Sequence, residues 1–223
     1  MKKILTIALV AVSILALGTT AFALIADSHH DLSAAAARGN VYATANAVSA
    51  CEFCHAPHHA LTTVGGAPLW NRSLPASASF TMYGNTIAGT TVDQTLGLGQ
   101  NSLTCLSCHD GATAIGNLVN KTFMGDTNQP VMSSPLLTGY ANVDTDLQND
   151  HPVGFTFVAG RADVAAVAAP FKLYSGTFEC ASCHDPHDDA TGATDNQGAA
   201  DIGGSAFFLR ADLATICTDC HAK

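Results

Sequence analysis

Cys-x-x-Cys-His occurs four times in this 223-residue chain and accounts for every cysteine in it. The pairs are Cys51/Cys54, Cys105/Cys108, Cys180/Cys183 and Cys217/Cys220, and each is followed at once by a histidine: His55, His109, His184 and His221. Eight cysteines behind an export signal first suggest four disulfides. The spacing argues against that. Two cysteines one helical turn apart suit thioether bonds to the two vinyl groups of one porphyrin, and the next residue then offers its imidazole to the iron. Zinc sites also use Cys-x-x-Cys, but do not require a histidine after every pair. Thiol redox motifs sit in a thioredoxin-like βαβ context, which is absent here. The expected cofactors are therefore four covalent haem c groups. The eight cysteines are the attachment points and His55, His109, His184 and His221 the proximal iron ligands.

Six histidines remain: His29, His30, His58, His59, His151 and His187. They fall into an internal repeat. The first half runs His30, Cys51-x-x-Cys54-His55-x-Pro-His58, Cys105-x-x-Cys108-His109. The second runs His151, Cys180-x-x-Cys183-His184-x-Pro-His187, Cys217-x-x-Cys220-His221. Each half holds two attachment motifs and four in-register histidines, enough for two axial ligands on each of two irons. The expected distal ligands are His30, His58, His151 and His187, with His29 and His59 as alternates. Methionine is another common distal ligand. Met82, Met124 and Met132 do not recur with the repeat and read as packing residues.

The N-terminus reads as a secretory signal. Lys2 and Lys3 precede an apolar run over residues 4–17, and Ala21-Phe22-Ala23 offers small residues for cleavage. The run is shorter than the roughly 20 residues of a spanning helix. Cleavage after Ala23 leaves 200 residues with seven basic and eighteen acidic side chains, a net charge of −11. That balance excludes nucleic acid, which needs basic stripes. No later stretch is long and apolar enough to span a bilayer. The expected organisation is a signal peptide over residues 1–23 and a tetrahaem domain over residues 24–223, with pseudo-repeat halves of about 24–140 and 141–223.

Charged residues make up 12% of the chain, about half the usual share. Gly, Thr, Asn, Ser and Asp punctuate most of it, which favours turns and loops. The expected fold is mostly coil with short α-helices and minimal β, organised around the four haems, with helical stretches at 31–38, 161–169 and 212–217. Short strands are expected at 153–158 and near 207–209. At 50 residues per haem, haem faces form much of the apolar core, so the haem-free chain is expected not to fold. The acidic loop 188–201 carries oxygen donors suited to calcium at Asp188, Asp189, Asp195 and Asp201, but lacks the spacing of a calcium loop. Arg72 and Arg210, both flanked by apolar residues, suit either haem propionates or ordinary salt bridges.

The chain resembles the multihaem c-type cytochromes with doubled Cys-x-x-Cys-His motifs. The likeness rests on Cys51–His58, Pro68-Leu-Trp-Asn-Arg72, Cys105–Gly111, His151-Pro-Val-Gly154 and Cys180–His187, and covers the chain from Ser28 onward. Its tetrahaem size is similar to that of outer-surface cytochromes of metal-reducing bacteria that polymerise into extracellular filaments. The resemblance implies electron transfer without enzymatic chemistry, with all irons six-coordinate and one distal histidine donated by an adjoining subunit. His30, or His29, is the donor expected here. It also implies an exported protein at the outer surface or outside the cell, alternatively in the periplasm. Partners would be redox proteins or extracellular electron acceptors. A monomeric periplasmic shuttle and a multihaem reductase with one open iron are the competing readings.

Overall fold

A computed structural model describes residues 25, 28–33, 49–62, 64, 67–84, 86–87, 90–91, 97–120, 134–157, 167–187, 208–211 and 214–221. Coil dominates them, with a few short helices and little sheet, as the turn-rich composition predicts. The helices are α1 (Gln100–His109), α2 (Cys180–Cys183) and α3 (Ile216–Cys220). Three single 3-10 turns, Ser77–Ser79, Gly139–Ala141 and Leu147–Asn149, and two antiparallel ribbons complete the regular structure described: β1 (Thr86–Ile87) with β2 (Thr90–Thr91), and β3 (Phe155–Thr156) with β4 (Thr177–Phe178). No helix among the described residues is long and apolar enough to cross a membrane.

Helix α1 is missed by a reading of its polar sequence, Gln-Asn-Ser-Leu-Thr-Cys-Leu-Ser-Cys-His. Only Leu103 and Leu106 supply an apolar stripe, one turn apart and both buried. Its first turn is held from elsewhere in the chain. Glu179 accepts from the Gly99 amide at 3.1 Å and from the Ser102 hydroxyl, placing an anion where orphan amides and the helix dipole favour one. Any side chain at Gly99 would collide with that carboxylate. Glu179 is also the N-cap of α2, in a reciprocal capping box with Ser182. One buried carboxylate thus binds the helices of the second and third motifs to each other. Past α1, Gly111 takes φ of 66°, the left-handed conformation that closes a helix.

The apolar core is small. Phe80, Leu98, Leu103, Leu106 and Leu147 form its main cluster, with Met82 packed against it as expected of a packing methionine. Phe53 and Leu118 form a second cluster. Residues 141–149 sit on the first half of the chain: Thr81 exchanges backbone hydrogen bonds with Thr145 and Leu147, and the Val143 amide donates to His109.

The expected strand at 153–158 is realised as Phe155–Thr156, with Phe155 in register with Phe178 and the two rings 5.4 Å apart. Near 207–209, Leu209 forms a single bridge to His184. The helix expected at 212–217 lies further on, over Ile216–Cys220, inside the fourth motif. Most of the helices expected at 31–38 and 161–169, the leader 1–23, the loop 188–201, Met124 and Met132 lie outside the described residues.

The sequence repeat is also a repeat of local structure. After the first motif the Ala56 amide donates to Leu69, the Asn71 amide donates to Cys54, and His55 bridges Trp70. After the third, the Asp185 amide donates to Phe208, the Arg210 amide donates to Cys183, and His184 bridges Leu209. Leu69 and Phe208 occupy the same place and share a positive φ, 58° and 56°, uncommon for such side chains.

Candidate haem centres

Each motif bends the chain so that its cysteines and histidine share one locus. Cys105 and Cys108 lie in α1, Cys180 and Cys183 in α2, and Cys217 and Cys220 in α3, one turn apart in each. Cys51–Cys54 forms a tight turn in which the His55 amide donates to Cys51 at 2.9 Å. None of the eight cysteines is held in a disulfide.

Three histidines outside the motifs face three inside them. The ring centroids of His30 and His109 lie 6.1 Å apart, those of His55 and His187 5.9 Å, and those of His151 and His221 6.3 Å. Two imidazoles bonded at about 2.0 Å to opposite sides of one metal hold their centroids about 6 Å apart. Each observed pair joins one proximal and one proposed distal histidine at that separation. These residues fit a six-coordinate haem iron. His58 is exposed, and its ring meets no proximal histidine among the described residues. Its carbonyl accepts from Asn120 at 2.6 Å. His59 takes a positive φ beside it, and His29 is exposed next to His30. His184 lies close enough to His30 and His109 to disfavour their protonation.

Backbone carbonyls set the tautomers. His55 Nδ1 meets the Pro68 carbonyl at 2.7 Å, His109 Nδ1 that of Ala141 at 2.6 Å, and His151 Nδ1 that of Pro152 at 3.0 Å. A carbonyl only accepts, so Nδ1 carries the hydrogen and Nε2 keeps its lone pair for a metal.

The interior also keeps the imidazoles neutral. Desolvation, then the neighbouring imidazoles of His109, His29, His184 and His187, push His30 from 6.5 down to about 3. Desolvation lowers His109 and His151 as well. A base whose folded value lies below its unfolded one is protonated first in the unfolded chain. Its contribution to stability is complete above about 6.5 and is lost as pH falls toward about 3. Iron requires neutral imidazole, so loss of the low-spin ferric spectrum is expected to begin well below neutrality, and a spectrum unchanged through strong acid would count against these ligands.

Cys105 and Cys180, of the second and third motifs, are hydrogen-bond neighbours, and a charge on Cys108 would bear on Cys54 as one on Cys220 would bear on Cys183. Burial pushes the Cys54 thiol up to about 12 and Cys183 up to about 11. In the coupled pair, the shared hydrogen bond raises Cys105 and lowers Cys180.

Arg72 and Arg210 are occupied by the protein itself. Arg72 is 1% exposed and donates to the carbonyls of Ser107, Ala114 and Ile115 and to the Ser107 hydroxyl. Among the described contacts these acceptors are all neutral, so Arg72 is not held in the surface salt bridge considered for it. Its neighbour Asn71 donates through Nδ2 to the Glu52 carbonyl at 2.8 Å. The dipeptide therefore fastens the first motif to the second. Arg210 forms an ordinary ion pair with Asp185 at 2.8 Å and donates to the Ala181 carbonyl. Asn71, Glu179 and the carbonyls of Pro68 and Ala141 carry no chemical signal in the sequence.

No protein-family model and no curated protein matches this sequence.

Proposed function

We propose that the chain is an exported electron-transfer protein with four covalently attached c-type haems, each held between two histidines, and that it performs no chemistry at iron. The observation that carries this reading is the set of three proximal–distal histidine pairs at the separation of trans ligands. Haem c supplies reversible one-electron redox chemistry and bis-histidine ligation gives a lower potential than His/Met ligation. The chain supplies the rest. Its cysteines would attach the haems, and its paired imidazoles would ligate the irons from the chain itself and leave no site for a substrate. The carbonyls of Pro68, Ala141 and Pro152 hold the rings still, so ligation stays the same in both oxidation states. Asn71 and Arg72 tie the first motif to the second, and Glu179 ties the second to the third.

The acceptor lies outside the cell in this reading, and the working form is a head-to-tail polymer. The support is the repeat. Cys105 of the second motif touches Cys180 of the third at the junction between halves. Their repeat equivalents are Cys217 and Cys51, and these are the two exposed cysteines of the eight. The same junction can therefore recur between the end of one copy and the start of the next, a heterologous contact that does not close on itself. The repeat also moves the donated ligand from His30, which faces His109 within its own chain, to His58. His187 faces His55 across the internal junction. The equivalent contact is His58 of one copy on His184 of another. A surface hollow of about 480 Å³, walled by Leu61, Val64, Pro68 and Leu69, opens beside His58.

His58→Ala is expected to leave monomers by sedimentation and electron microscopy, with one high-spin haem in each chain. Filaments retained with all haems low-spin would remove His58 as the donor. A native protein that is monomeric and fully low-spin would make it a periplasmic shuttle instead. A high-spin haem in the native assembly would favour a reductase.

A further inference from the structure

We infer that Arg72 is a fixed electrostatic control on the first two haems, holding their reduction potentials up. This rests on the haem assignment above and adds a role for a residue that touches neither iron nor ligand. The side chain is 1% exposed, and every acceptor it meets is neutral: the carbonyls of Ser107, Ala114 and Ile115 and the hydroxyl of Ser107. Ser107 lies between the two cysteines of the second motif. Asn71, one residue before Arg72, is bound to the Cys54 carbonyl of the first. The guanidinium therefore sits between two attachment sites.

The second half handles its cation differently. Arg210 also lies against its attachment motif, but Asp185 neutralises it at 2.8 Å. Two buried carboxylates share the first two motifs with Arg72, and both bind backbone amides. Glu52 accepts from Ser49 at 3.2 Å, and Asp110 accepts from Ala112 at 3.0 Å and Thr113 at 2.7 Å. Neither accepts from Arg72 among the described contacts.

Reduction brings one electron from an external reductant to each ferric iron and makes it ferrous. No bond to Arg72 forms or breaks. The ferrous site is one charge more negative, and a fixed cation in a water-poor interior favours it more strongly than the same cation in water. A guanidinium stays charged at any working pH, so the control does not titrate.

The test is a haem-resolved potentiometric titration of haem-loaded native protein, Arg72→Gln and Arg72→Lys. Arg72→Gln is expected to lower two of the four potentials, cutting the ferrous-to-ferric ratio at a fixed potential about tenfold, or about 59 mV per haem. The other two haems keep theirs. Arg72→Lys keeps the charge and holds all four potentials near native, although both variants lose thermal stability with their carbonyl contacts. Four unchanged potentials in Arg72→Gln, or an equal fall in Arg72→Lys, would overturn the proposal. If Arg72→Gln takes up no haem, Ser107→Asp, at a side chain that already meets the guanidinium, gives Arg72 the counter-charge that Asp185 gives Arg210. It must lower the same two potentials, and a failure to do so overturns the proposal. Native protein without haem would instead refute the underlying assignment.

Discussion

A chain with all eight cysteines replaced by alanine is expected to show no cooperative unfolding transition. The described residues hold one helix of ten residues and strands of two. Isolated helices below about 12 residues are marginal in water, and so are two-stranded ribbons. The main apolar cluster contains five buried residues and the second contains two. Fully burying a leucine such as Leu106 contributes about 2 kcal/mol, while ordering one residue costs about 1–2 kcal/mol of conformational entropy. Among the described residues, clusters of this size do little to offset the ordering of the coil around them. In the proposed reading the four haems supply the remaining apolar surface and also cross-link the chain, as metals do for small metal-dependent domains. The loss is the whole folding free energy, about 5–15 kcal/mol for an ordinary domain. Thermal circular dichroism reads it directly: a flat trace is expected, and a sharp transition near that of the loaded protein would contradict the account.

Replacing His30 by alanine is expected to turn one haem in four high-spin and leave the other three as they are. His30 faces His109 at 6.1 Å and stacks on Phe208 at 4.3 Å, with 9° between the planes. The substitution removes a ligand and leaves a gap against a buried phenylalanine, so a loss of stability of about 2–4 kcal/mol accompanies the spectral change. His187→Ala should behave alike at the haem of His55, with less structural cost because His187 is exposed. Electron paramagnetic resonance separates the two states. A fully low-spin His30→Ala protein would mean that another histidine, His29 first, serves His109.

The proposed haem attachment is legible in the sequence because that chemistry is strictly spaced. Thioether attachment needs two cysteines one turn apart and a histidine next to them, and Cys51–His55 and its three copies state this without tertiary information. The distal set was legible only as a set. His30, His151 and His187 recur in register, but which proximal imidazole each faces depends on how residues far apart in the chain fold together. His187 follows the third motif yet faces the first. Helix α1 was hidden because Glu179, 77 residues beyond Ser102, caps its start. Arg72 resembled a surface cation because nothing local shows that three backbone carbonyls surround it. The boundary near residue 140 followed the repeat in sequence, whereas Thr145 and Leu147 bond to Thr81 in space. Local spacing encodes the attachment chemistry, and long-range hydrogen bonding decides how the four sites are joined.

The central claim is that four haems are each ligated by two histidines. Ferric electron paramagnetic resonance of the native assembled protein, integrated against its haem content, tests it most directly. The account predicts four low-spin centres per chain and no high-spin signal. A high-spin component, or fewer than four haem centres per chain, would contradict it.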